Sequence, residues 1–228
     1  MIVEEKFIAL SALICEPTRA KMLWNLLDGR AYTAGELALV ADVSATAASN
    51  HLTKLLEAAL VKVETQGRHR YFSFSGPEVA YAVESLANLA NGNGTREIEK
   101  DFKMNSIKYC RTCYDHLAGF VGVKITETLE LKKIIKKSEE VYIVTNKGWD
   151  WLADFGIAKN ELVNNRRPIT RQCLDWSERR PHLAGQLGAL ILDKMLKKNW
   201  FRKVQFSREL VVTSKGNQEI YSLFNVQL

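Results

Sequence analysis

Two short marks recur in the second half of this 228-residue chain at nearly one spacing, and they restrict its fold more than any single motif. "HLAG" at 116 returns at 182, a shift of 66, and "VTNKG" at 144–148 returns as "VTSKG" at 212–216, a shift of 68. Two marks that move by nearly the same amount point to one unit, duplicated. Between them each copy holds an amphipathic segment with a lysine-rich end, "LELKKIIKKS" and "LDKMLKKNW". A short β-branched strand follows, "VYIVT" or "LVVT", and then a last helix carrying Trp149, Trp151 and Leu152, or Ile220, Leu223 and Phe224. The repeat units run over about 107–160 and 170–228, each read as helix, strand pair, helix. The step "V-T-x-K-G" resembles the exit from the wing of winged-helix proteins, so both units are expected to be winged-helix-like.

The first half carries a different pattern. Apolar residues at Leu10, Leu13, Ile14, Met22, Leu23, Leu26 and Leu27 have helical spacing, and Pro17 divides them into two helices joined at "CEPTR". Gly29 stops the second. Thr33 and Glu36 form a T-x-x-E capping box that opens a short helix through about Val40. "ADVS" makes a tight turn, and Ser44 caps the helix beyond it. There Leu52, Leu55, Leu56 and Leu60 face inward, while Ser44, Thr46, Ala47, Ser49, Asn50 and Lys54 are small or polar and face out. "VKVETQGRHRYFSF" alternates as a β-hairpin with Arg68, His69 and Arg70 at its tip or returning arm. Helix, turn, exposed helix and basic hairpin in this order make a winged helix-turn-helix. A further helix near 77–90 places Val79, Val83, Leu86 and Leu89 on one stripe, and "NGNGT" marks a boundary at 91–96. The expected architecture is mainly α with small β-hairpins (α+β): a DNA-binding and dimerisation domain over 1–95 and a duplicated domain over 96–228.

Charge agrees with an anionic partner only in part. The chain carries +6 overall, but residues 1–95 sum to −2 and the remainder to +8. Lys132, Lys133, Lys136 and Lys137 are therefore candidates for nonspecific attraction to DNA. No run approaches the roughly 20 apolar residues of a membrane span, and Glu4, Glu5, Glu16 and Arg19 do not form a leader pattern, which gives a cytoplasmic expectation with no membrane partner. Four cysteines in a chain of this length do not make a secreted disulfide framework.

"CEPTRAKMLWNLL", "ELALVADVSATAASNHLTKLLEAALV" and "VETQGRHRYFSF" resemble the ArsR family of bacterial winged-helix repressors over about residues 5–90. The second half resembles the extension of a subset marked by "CYDHLAG" and "CLDWSERRPHLAG". The resemblance implies a homodimer that binds a two-fold operator in double-stranded DNA as a repressor and is released by a small-molecule or metal inducer. The family's Cys-x-Cys sensing pattern is missing from "ELALVAD", and its Asp and His ligands are missing from "PEVAYAVESLANLAN". Any sensing chemistry is then expected in the extension.

Ser44, Thr46, Ala47, Ser49, Asn50 and Lys54 are the candidates for the major groove, with Arg68 and Arg70 on phosphate or the minor groove. His51 is expected to pack or cap within its helix. In the extension Cys110, Cys113, Asp115, His116, Cys173, Asp175 and His182 are the candidate sensor or metal groups. Cys-x-x-Cys with a nearby Asp and His could hold a soft divalent ion such as zinc, and 110, 113 and 116 would share a helical face. A site pooled from both copies would use Cys113, His116, Cys173 and His182. The alternative, preferred on the residues alone, is packing: Asp115 caps a helix opening at "HLAG", Pro181 is a first helical residue, and the cysteines are core. "DWSERRP" is read as a charged surface loop, the alternative being that Trp176, Glu178, Arg179 and Arg180 line a ligand pocket or pair across the dimer. No phosphate loop, dinucleotide fingerprint or nucleophile elbow supports an enzyme. A thiol- or metal-dependent sensor or enzyme centred on Cys110, Cys113 and Cys173, with DNA binding auxiliary, stands as the other function, and a non-sensing architectural DNA binder as a third.

Overall fold

Proline cannot donate to a preceding turn, and the first helix gives way just before Pro17. In the computed structural model, which describes residues 2–90, 106–162 and 167–228, α1 spans Val3–Ile14 and α2 spans Pro17–Leu26. Glu16 caps α2, its carboxylate accepting from the amides of Thr18 and Arg19. The capping box opens α3 (Ala34–Ala41): Thr33 N donates to Glu36 Oε2 at 2.7 Å and Glu36 N to Thr33 Oγ1 at 3.3 Å. Asp42 turns the chain in the left-handed region (φ 58°), and Ser44 Oγ accepts from Ala47 N at 3.2 Å to start α4 (Ala45–Glu57). Met22, Leu23, Leu26, Leu27, Leu37, Leu52, Leu55 and Leu60 bury together.

The wing is β2 (Val61–Gln66) and β3 (His69–Phe74), antiparallel, with Val63 opposite Phe72 and Val61 opposite Phe74. Its two-residue turn holds Gly67 at φ 59°. A third strand, β1 (Tyr32–Thr33), pairs with β3 and was not foreseen, because two residues carry no readable period. α5 spans Pro77–Ala90 and corrects the expected stripe. Ala80, Val83 and Glu84 are buried, whereas Leu86 is 42% and Leu89 72% exposed. The helical period was right and Val83 of the stripe is buried, but Leu86 and Leu89 at its far end stay exposed. The linker at 91–96 lies outside the described residues.

The chain divides into two compact units, residues 1–87 and 88–228. In the second, one order of elements occurs twice: hairpin, helix, hairpin, helix. The first copy is β4 (Arg111–Cys113), β5 (His116–Ala118), α6 (Gly119–Leu131), β6 (Ile135–Ser138), β7 (Val141–Val144) and α7 (Asn146–Phe155). The second is β8 (Arg171–Leu174), β9 (Pro181–Ala184), α8 (Gly185–Lys197), β10 (Phe201–Lys203), β11 (Leu210–Val212) and α9 (Ser214–Phe224).

Each copy thus opens on a hairpin where a helix was expected. "HLA" is a strand, and only the glycine of "HLAG" begins the helix. Asp115 lies in the β4–β5 turn instead of at a helix cap, and Pro181 is the first residue of a strand. Gly119 and Gly185 take φ 78° and 84°, and a Cβ there would stand 2.7 and 2.9 Å from the carbonyls of Lys108 and Ile169. The second mark has an equally local cause. Thr145 and Thr213 cap α7 and α9, accepting from Gly148 N and Gly216 N at 2.9 Å. A Cβ on those glycines would meet the Ile134 and Trp200 carbonyl oxygens at 2.1 and 2.0 Å.

The copies interlock. Thr112 N donates to Arg208 O and Leu210 N to Cys110 O, which ties β4 to the second copy's later hairpin. In the reciprocal place Gln172 N donates to Glu140 O and Tyr142 N to Thr170 Oγ1. Leu117, Val121, Ile125, Leu183, Leu187, Ile191 and Trp200 share one core.

Candidate functional site

α4 shows its two faces as the sequence predicts. Ala48, Leu52 and Leu55 are buried, while Ser44, Thr46, Ser49, Asn50 and Lys54 are exposed and Ala47 is half-buried. Two hydroxyls are already engaged: Ser44 caps the helix, and Ser49 Oγ donates to Ala45 O at 3.0 Å. Thr46, Asn50 and Lys54 lie along the outer face. His51 packs at the base, its Nδ1 3.3 Å from Glu16 Oε2. On the wing Arg68 and Arg70 are exposed, the Arg70 guanidinium lying 5.5 Å from the Phe72 ring centroid.

A second constellation is built by the paired hairpins. In β4–β5, Cys113 stands directly across from His116; in β8–β9, Cys173 stands directly across from His182. Cross-strand neighbours project from the same face, so each hairpin offers one thiol and one imidazole side by side. The two offerings meet. Cys113 Sγ and Cys173 Sγ are 3.8 Å apart, His116 Nε2 and His182 Nε2 are 3.1 Å apart, and all four donor atoms lie within 4.8 Å of one another. Cys113, His116 and His182 are buried and Cys173 half-buried.

Behind each imidazole stands a carboxylate. His116 Nδ1 is 3.3 Å from Asp115 Oδ1, and His182 Nδ1 is 3.2 Å from Asp175 Oδ2. Asp115 is itself held by Arg167 at 2.6 Å. Asp175 accepts from Arg111 Nη2 at 2.8 Å, Gly119 N at 2.7 Å and the amide and hydroxyl of Ser177 at 2.9 and 2.7 Å. The Trp176 ring lies beneath the Arg111 guanidinium, 4.3 Å from its centroid.

Burial opposes ionisation of Asp175, but His182 and Arg111 outweigh it and hold the carboxyl well below the usual range. Burial likewise opposes a charge on His182, and Asp175 and Cys113 prevail, pushing it up to about 9. His116 moves up for the same kind of reason, with Cys113 and Asp115 overcoming burial.

The sequence placed Cys110 with Cys113, and that grouping is corrected. Cys110 lies in the bend before β4, outside the strand that carries Cys113. Cys110 is fully buried in the apolar core, and burial pushes its thiol far up. "DWSERRP" is not a plain surface loop either, since Asp175 and Trp176 are buried. Arg111, Arg167 and Ser177 were missed altogether. An arginine gives no sign in the sequence of a carboxylate 64 positions away.

Among the described residues no helix is long and apolar enough to cross a membrane. Residues 15–64 match the family described as a helix-turn-helix domain. The chain is 37% identical over 219 residues to the uncharacterized HTH-type transcriptional regulator YdfF of Bacillus subtilis (strain 168), a match spanning 96% of this chain and 97% of that one. Among solved structures, HlyU from Vibrio cholerae N16961 is 28% identical over 38% of this chain and 92% of its own, with a TM-score of 0.35. The cadmium metal-sensor CMTR from Mycobacterium tuberculosis is 28% identical over 40% of this chain and 93% of its own, with a TM-score of 0.33. On its near full-length match to a regulator, and with the helix-turn-helix in place, the chain belongs to the ArsR family of helix-turn-helix DNA-binding transcriptional regulators, here with a C-terminal extension.

Proposed function

We propose that this regulator is a homodimeric repressor that reads a two-fold operator with the outer face of α4. The observation that carries the reading is the division of α4 itself: Leu52 and Leu55 anchor it, and Thr46, Ala47, Ser49, Asn50 and Lys54 line the side left to solvent. Asn50 is assigned to a base edge, where an amide can bridge the two hydrogen-bonding positions of adenine. Arg68 and Arg70 are assigned to phosphate or the minor groove, adding affinity more than specificity.

Dimerisation is supported by apolar surface left over on two helices. α1 exposes Val3, Phe7 and Ile8, and α5 exposes Leu86 and Leu89. Exposed apolar residues of this kind on a regulator fit a second copy of the chain. The division into a reading domain over 1–95 and a duplicated, winged-helix-like domain over 96–228 is part of the same proposal. So are release by an inducer, action in the cytoplasm and a regulatory rather than catalytic role.

The test is binding-site selection from random duplex DNA with the full chain, followed by affinity measurements on the selected site. The reading expects a pseudo-palindrome with half-sites about 10 base pairs apart. Asn50→Ala should cost about 1–3 kcal/mol and relax preference at one position. Arg68→Ala should weaken binding to all sequences and lower the salt slope by about one. A selection with no enriched sequence would sink the repressor reading.

A further inference from the structure

We infer that Cys113, His116, Cys173 and His182 bind one zinc ion, closing a tetrahedral Cys2His2 site that joins the two copies of the C-terminal unit.

Three observations carry this, and none depends on the DNA-reading face. The first is metric. In a regular tetrahedron with bonds of about 2.3 Å to sulfur and 2.0–2.1 Å to nitrogen, sulfurs stand about 3.8 Å apart and nitrogens about 3.3 Å apart. The observed separations are 3.8 Å between the thiols and 3.1 Å between the facing nitrogens. A disulfide needs about 2.05 Å, so the thiols sit at the spacing of two ligands on one ion rather than of a bond.

The second observation concerns the imidazoles. A carboxylate lies behind each imidazole, 3.3 and 3.2 Å from its Nδ1, and the two Nε2 atoms face each other inward. Two facing nitrogens 3.1 Å apart call for a cation between them, a shared proton or a metal ion, and the two thiols beside them complete the donor set of a metal ion. Carboxylate behind imidazole is also the arrangement that strengthens a histidine as a zinc ligand.

The third is charge. Zinc binding releases the two thiol protons, so two thiolates offset the dication. Asp115 and Asp175 are offset by Arg167 and Arg111. The assembled site is neutral as a whole, which burial requires.

Two thiolates with two imidazoles select zinc over magnesium or calcium, which take oxygen ligands. The protein fills all four positions and leaves none for water or substrate, so the ion is structural and not catalytic. Each copy supplies one thiol and one imidazole. Neither copy can complete the site alone.

The experiment is elemental analysis of the untagged full chain, purified under reducing conditions, together with a cobalt-substituted sample. The inference expects one zinc per chain. It also expects the intense visible bands and thiolate charge-transfer absorption of tetrahedral cobalt with two sulfur ligands. Cys110→Ser, outside the quartet, should keep its zinc, and Cys173→Ser should lose it. Should Cys173→Ser fail to fold, the wild-type cobalt spectrum decides. A wild-type chain that takes up no metal, a weak octahedral cobalt spectrum, or zinc retained in Cys173→Ser would each overturn the site. Operator selection would be unaffected by that failure, so the two proposals fall separately.

Discussion

Asp175 ties several parts of this structure together. It orients His182, neutralises Arg111, holds the amide that opens α6 and anchors the turn through Ser177. Nothing in "CLDWSERRP" reveals the distant roles, because Gly119 and Arg111 lie 56 and 64 positions away. The repeat glycines are the opposite case. Gly148 and Gly216 stood out in the sequence, and the reason is as local as the mark: a carbonyl oxygen occupies the place of the missing side chain. Asp175→Asn keeps the shape and removes the charge. Zinc affinity should fall roughly 10–100-fold, as for other groups behind a ligating histidine. Stability should fall by about 3–5 kcal/mol, because Arg111 is left buried without its counter-charge. Competition with a chelator reads the first and denaturant unfolding the second. An unchanged zinc affinity would mean that Asp175 does not orient the ligand.

At the scale of elements, the helices of the first unit were legible because each carries its own start and stop. Pro17, the Thr33–Glu36 box and Ser44 all act within four residues. The opening hairpins, β4–β5 and β8–β9, were not. Strands of three or four residues show no period, and the small residues of "HLAG" suit a helix start as well as a strand end. That error also moved Asp115 and Pro181 into helical roles and Cys110 into the donor set. α5 erred differently, since its stripe is real but Leu86 and Leu89 stay exposed in the single chain. If that face is the dimer surface, Phe7→Glu with Leu89→Glu should give a folded monomer with operator affinity sharply reduced. Light scattering and helical circular dichroism check the two halves of that statement. A dimer that survives both changes would place the interface elsewhere.

At the scale of the molecule, the duplication was visible as two nearly equal shifts, but its consequence was not. The copies are not stacked neighbours that could each stand alone. α6 binds the second copy through Thr126 Oγ1, which accepts from Leu183 N at 2.9 Å. Gly188 of α8 leaves only 3.2 Å between a would-be Cβ and His116 Cβ. A chain ended after residue 162 would expose Leu117, Val121 and Ile125 and keep half of the donors. It should retain a folded first unit and lose fixed packing in the remaining copy, seen as lost amide protection confined to residues 106–162. Full protection there would show that one copy folds unaided.

The account stands on four donors from two copies meeting at one ion. X-ray absorption at the zinc edge of the full chain measures this directly. The account predicts a first shell of two sulfurs at about 2.3 Å and two imidazole nitrogens at about 2.0–2.1 Å. A shell of oxygen and nitrogen alone, or one of four sulfurs, would contradict it.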